Sequence, residues 1–315
     1  MSLFRTCAVA AVALAFASSS AVAASSSSAT LDSISFQLFD LNPLDGPSTY
    51  NITGGSTSLS LSTNDGAVGD SDSSSRTRQG YLSFTRSFTS NLDHAYGTAS
   101  ISPSALSLTG AAVGASSSYS ASAATGTASI ALSAQSLLII TAKASVSALA
   151  NNGTNCGTVY YYSSCGATES ASANASMSLS YSFNANNGYT SISQSDSVGV
   201  SASAHGSYDQ SYYYYSYYCY YYGNCSTTHY DAVNESKSDA KVFTFVFQNT
   251  SNTTQYASLS FNTSISGTAQ NGPAQVMNTA IAKASIAAVP EPQGWALLMA
   301  GVGVVAAVAR RRRVN

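Results

Sequence analysis

The chain has 315 residues, with 12 Lys and Arg against 14 Asp and Glu, a formal net charge of −2, and charged residues making up only 8% of the whole. So sparse and balanced a charge excludes a nucleic-acid partner, because neutralising phosphates needs clustered Lys and Arg. Solvation falls instead to hydroxyls, from abundant serine and 21 tyrosines, and so little surface charge favours self-association.

The N-terminus reads as a secretory signal peptide over 1–23. Arg5 precedes the apolar run Cys7–Ala17, and small residues follow at Ala21, Ala23 and Ala24. That order of charge, apolar run and small residues is what signal peptidase takes, with the cut after Ala23 or, as second choice, Ala24. The run is too short for a stable membrane span.

The body, 24–288, alternates with period two. Ile34, Phe36 and Leu38 share one face of "SISFQLFDLN", and shorter alternating pieces lie at Ser58–Ser62, Tyr81–Phe88, Ala99–Leu108 and Ile130–Ala150. From Ser170 to Asn184 every even position is Ser or Asn, while odd positions run through Ala, Met, Leu, Tyr and Phe. Such a run predicts strand, and its length predicts a bend or bulge within it. Ile192–Ala204 continues the pattern. "KVFTFVFQN" has Phe243, Phe245 and Phe247 on one face and Val242 and Val246 on the other, which predicts a central strand covered on both sides. Tyr256–Ser266 places Ala257, Leu259, Phe261 and Ile265 together. Turn signals such as "NITGG", "NDGAVGD" and "NANNG" separate the pieces.

These features predict an all-β fold, an antiparallel β-sandwich with a jelly roll among the arrangements allowed, set between the signal peptide and a C-terminal transmembrane helix. The first and last strands carry the large apolar residues. The middle, Gly110–Ser211, offers mainly Ala inward, so it should be thin and flat.

Cys156, Cys165, Cys219 and Cys225 are an even set suited to an oxidising compartment. Local bridges, Cys156–Cys165 and Cys219–Cys225, are the preferred pairing; bridges between the two segments are the other. Their spacing does not suit zinc, and no metal or cofactor is expected. Tyr208–Tyr230 is dense in tyrosine, including Tyr212, Tyr213, Tyr214, Tyr215, Tyr217 and Tyr218. An apolar ring with a polar hydroxyl suits either a loop that stacks on sugars or proteins, or a strand pair whose rings pack on one another.

Catalysis has little support, and no enzyme is expected. His94, His205 and His229 are the only histidines, and none sits in a zinc motif, nor is there a nucleophile elbow or a P-loop. Asp93 and His94 read as a turn pair. Asp65, Asp70 and Asp72 could offer oxygens to calcium, but a solvated turn is the better reading.

The C-terminus has three parts over 289–315. Val289, Pro290, Glu291 and Pro292 form a short extended motif. Trp295–Ala309 is uncharged and about 22 Å long as a helix, with Arg310, Arg311, Arg312 and Arg313 placed to stay on the cytoplasmic side of the inner membrane. This order resembles the PEP-CTERM sorting signal of Gram-negative bacteria. The resemblance implies an exosortase that reads the motif and cuts near it. It further implies export across the inner membrane, transient anchoring by the C-terminal helix, and delivery to the cell surface or extracellular matrix beside exopolysaccharide in biofilm. Two functions fit: a structural matrix or envelope protein, or a carbohydrate-binding sandwich that uses the Tyr-rich segments.

Overall fold

The computed structural model describes residues 24–44, 46–82, 85–114, 116–151, 169–185, 188–207 and 231–270, and these are almost entirely antiparallel strand. In chain order the strands are β1 Ala24–Asp40, β2 Tyr50–Gly54, β3 Ser56–Asp65, β4 Asp70–Gln79, β5 Arg86–Asn91, β6 Ala95–Ser102 and β7 Ala105–Val113. They continue with β8 Ser117–Leu132, β9 Ser136–Asn151, β10 Glu169–Ala185, β11 Gly188–Ser207, β12 Asp231–Val233, β13 Glu235–Asn249 and β14 Gln255–Ala269. One sheet has the order β13-β9-β1-β7-β6-β5; the other has β12-β11-β10-β14-β8-β3-β4, with β2 also on β8.

A shared core joins the sheets into a sandwich. Leu31, Leu106, Ile140, Phe243 and Phe247 from the first sheet pack in one cluster with Leu59, Ile130, Leu179, Leu259 and Phe261 from the second. Each large side chain so buried contributes about 1.5–3 kcal/mol. The alternation read from the sequence follows from this, since the pleat sends every second residue into the shared core.

Two bulges shift the alternation within a strand. β1 carries an extra residue between Asp32 and Ser35 opposite β9, and Ser33 there has φ 54°. Before the bulge Ala29 and Leu31 face inward; after it Ile34, Phe36 and Leu38 do. β8 has its own extra residue opposite the Leu259–Phe261 step of β14. Beside it Gly54 and Gly55, at φ 69° and 73°, separate β2 from β3. A Cβ on Gly55 would lie 3.1 Å from the Gly126 carbonyl oxygen, so only glycine lets the strands approach this closely.

Of the bend or bulge expected within Ser170–Asn184, no bulge occurs. β10 pairs in unbroken register with β11 from Glu169 to Ala185 and with β14 from Ser170 to Tyr181. β11 pairs with it over its whole length, so nothing forces a break. β13 is likewise not central. It is an edge strand of the six-stranded sheet, and Val242 and Val246 are 61% and 38% exposed. Its aromatic face alone is covered. Tyr81–Phe88 is only partly strand: β5 begins at Arg86, while Leu82 turns into the core. Ala99–Leu108 is a hairpin, with Ser102 opposite Ala105, because Pro103 cannot continue the ladder.

Thinning does occur, but along the strands rather than between them. β9 and β10 carry Leu138, Ile140, Met177 and Leu179 at one end. At the other, Ala148, Ala150 and Ala171 form a separate small cluster with Ala202 and Ala204 of β11.

The free edge of β13 is stitched to β11 of the opposite sheet. The Gln194 side chain donates to the Val246 carbonyl at 2.7 Å and accepts from the Val246 N–H at 3.1 Å, so the amide takes the place of a missing strand. Lys241 meets Asp196 at 2.6 Å, and the Ser203 N–H reaches Glu235 at 2.8 Å.

Candidate functional site

The alanine-lined end of the sandwich holds the described positions that flank several of the segments the sequence marked out. Ala24, the first residue of β1, pairs with Asn151 of β9 and Val113 of β7. Glu169 of β10 pairs with Ala204 of β11, and its buried carboxylate accepts from the Gln270 N–H at 2.7 Å. The chain positions at which 152–168 and 208–230 are rooted, and from which 271–315 departs, therefore lie side by side. Cys156, Cys165, Cys219 and Cys225, the tyrosines Tyr212–Tyr215, Tyr217 and Tyr218, and the tail residues Val289–Pro292 and Arg310–Arg313 all lie outside the described residues. So do the signal peptide, Ala23 and Trp295–Ala309. Among the described residues no helix is long and apolar enough to cross a membrane.

The same end holds a buried carboxylate–imidazole pair. Asp65, at the close of β3, is 1% exposed, and His94, just before β6, is 4% exposed. The His94 Nδ1 lies 2.8 Å from Oδ2 of Asp65, and the His94 N–H donates to the same oxygen at 3.0 Å. Oδ1 accepts from the Ala67 N–H at 3.1 Å. One carboxylate thus shapes the β3–β4 turn and ties it to the β5–β6 turn. Burial pushes the Asp65 carboxyl up, but the hydrogen bond and charge of His94, with the His94 and Ala67 backbone N–H groups, outweigh it and hold it below its ordinary value.

Asp65 is therefore committed to His94 rather than sharing an ion with Asp70 and Asp72. No grouping of three or more potential metal ligands occurs among the described residues. His94 pairs with Asp65, not with its neighbour Asp93 as the sequence suggested. Nε2 of His94 is buried and has no hydrogen-bond partner among the described residues.

The outer faces are hydroxylated in rows. In register across the larger sheet run Ser62, Ser120, Ser266, Ser172 and Ser201. Neighbours bond sideways: Ser60 with Ser122 at 2.8 Å, Ser172 with Ser266 at 2.9 Å, Ser178 with Ser260 at 2.6 Å. Strand spacing is about 4.8 Å, so the serines form a regular, uncharged surface. A shallow groove there is lined by Ser176, Ser178, Ser195, Ser197, Ser260 and Asn262, together with Met177 and Asp196.

Residues 288–313 match the family model of the PEP-CTERM protein-sorting motif. That motif implies export and a membrane-anchored sorting signal. The chain carries a PEP-CTERM sorting motif. The match covers the tail and not the sandwich. Comparison with curated proteins and with solved structures gives no match.

Proposed function

We propose that the chain is a structural protein of the cell surface or extracellular matrix, delivered through the exosortase route and held beside exopolysaccharide. The sorting motif at 288–313 carries this reading. The hydroxylated faces support it, because an uncharged surface of serines suits hydrogen bonding to a polyhydroxylated matrix. Signal peptidase cuts after Ala23, which leaves β1 intact from Ala24. The exosortase then reads Val289–Pro292 and releases the sandwich from the helix.

Replacing Pro290-Glu291-Pro292 by three alanines tests the sorting step. The change lets helix extend upward and removes the only charge between Lys283 and Arg310. In a host with the exosortase, intact mass and fractionation should show the mutant precursor retained in the inner membrane and the wild type trimmed. Equal retention of Trp295–Asn315 in both refutes processing at the motif.

The second reading is a carbohydrate-binding module, favoured by the common end at which both Tyr-bearing segments are rooted. Changing Tyr212–Tyr215 to Ser would then abolish saturable binding to the producer's polysaccharide. Binding that persists unchanged leaves the structural reading alone.

A further inference from the structure

The larger sheet ends at β4, which has β3 on one side and no strand on the other among the described residues. The other margins are managed. β13 is stitched by Gln194; β12 is 3 residues long; β5 is 6 residues long, and Arg86 there lies over the Phe88 ring. β4 offers 10 residues, nearly all exposed, with no bulge in its register to β3. A free, straight edge of this length is a template for another strand.

Its charges say which strand. β4 reads "DSDSSSRTRQ". Asp70, Asp72, Arg76 and Arg78 all oppose core-side partners on β3, so they share one face. The six-stranded sheet stops at β5, which leaves that face of β4 open. None of the four forms an ion pair among the described residues. Charges on an edge usually repel further strands. This arrangement does the reverse for one partner. Turned end for end about Ser74, the strand places Asp70 opposite Arg78 and Asp72 opposite Arg76 of an identical strand, on both sides of the axis. Opposite charges directly across a ladder stabilise it, and a two-fold axis makes the patch complementary to itself.

We propose that two copies of this chain join by antiparallel pairing of β4 with β4, centred on Ser74, so that their larger sheets run on as one. The interface is independent of the sorting tail, and its occupant is a second copy rather than a foreign peptide, because only the same sequence reproduces the Asp-Asp-Arg-Arg complement in this register.

The test is sedimentation of the full chain in mild detergent, together with cysteine cross-linking. Wild type should dimerise reversibly. Asp72→Arg or Arg76→Asp alone sets like charges across the axis twice and should weaken the dimer about tenfold. The double reversal Asp72→Arg/Arg76→Asp should restore it. Ser74→Cys should oxidise to a symmetric dimer, since residues facing each other at the axis lie about 4.5–5.5 Å apart, within disulfide reach. Ser71→Cys faces Thr77 of the partner and should not. Peptide mapping must place the bond between position 74 of one copy and position 74 of the other, which separates it from any bond of the native cysteines. All these positions are exposed or half-buried, so unchanged melting of the variants is expected. A monomeric wild type, equal cross-linking of both cysteine variants, or a double reversal no better than the singles overturns the proposal.

Discussion

Asp65→Ala lowers the stability of the sandwich by about 3–5 kcal/mol, the cost of breaking a buried pair by removing one partner. The His94 ring nitrogen and N–H and the Ala67 N–H, all now bonded to this carboxylate, would lose their acceptor inside the protein. Asp65→Asn keeps one oxygen and should cost less. Denaturant midpoints with an unchanged slope would check both. Acidity should reproduce part of the effect. The folded-state carboxyl titrates below the ordinary value of 3.8, so its contribution is complete above that value and fades as pH falls through the lowered one. A variant lacking Asp65 should therefore show a flatter fall in stability below about pH 4. A wild type and an Asp65→Ala chain of equal stability at neutral pH would remove this pair from the account of the fold.

Gly110→Ala should be the most costly small change in the core, for want of space. Tyr119 of β8 lies buried across the sandwich, its hydroxyl bonded to Ser27 at 2.8 Å. Its ring occupies the space where side chains of Gly110 and Gly267 would stand. A Cβ on Gly110 would come within 2.1 Å of the ring, and one on Gly267 within 2.4 Å of the hydroxyl oxygen. The ring is enclosed and cannot swing aside, so overpacking should cost roughly 1–3 kcal/mol for Ala and more for Val. Tyr119→Phe should lose about 1 kcal/mol with its hydrogen bond. Tyr119→Leu combined with Gly110→Ala should be more stable than the two losses summed, because the smaller side chain leaves room for the methyl. Strict additivity in that cycle would show that the clash is relieved elsewhere.

The sheets were legible because alternation is a local property. Each stretch names its own inward face, as Phe243, Phe245 and Phe247 did on β13. Which strand lies at an edge is not local: the exposed Val242 and Val246 read like a second buried face until the partners of β13 are known. The bulges at Ser33 and beside Gly126 are hard to read for a similar reason, since they matter only through what they face. Asp65 and His94 lie 29 positions apart in no motif, and the nearer Asp93 was the natural partner on paper. A signal for Tyr119 was present in Gly110 and Gly267, glycines inside otherwise regular strands, which mark a close approach. The sorting motif was legible because it is a linear motif whose meaning lies in the order of its residues.

The position of β14 bears on when this protein can fold. The last strand of the sandwich lies inside the larger sheet, between β10 and β8, and Leu259, Phe261 and Ile265 supply part of the core. Until Gln255–Ala269 arrives, β10 and β8 each lack a neighbour and the core stands open. A chain exported N-terminus first must keep most of its residues unfolded or half-paired until a segment near the sorting motif arrives. Such long-range closure is slow. On the proposed export route, the sandwich can close only once Gln255–Ala269 has crossed, late in translocation.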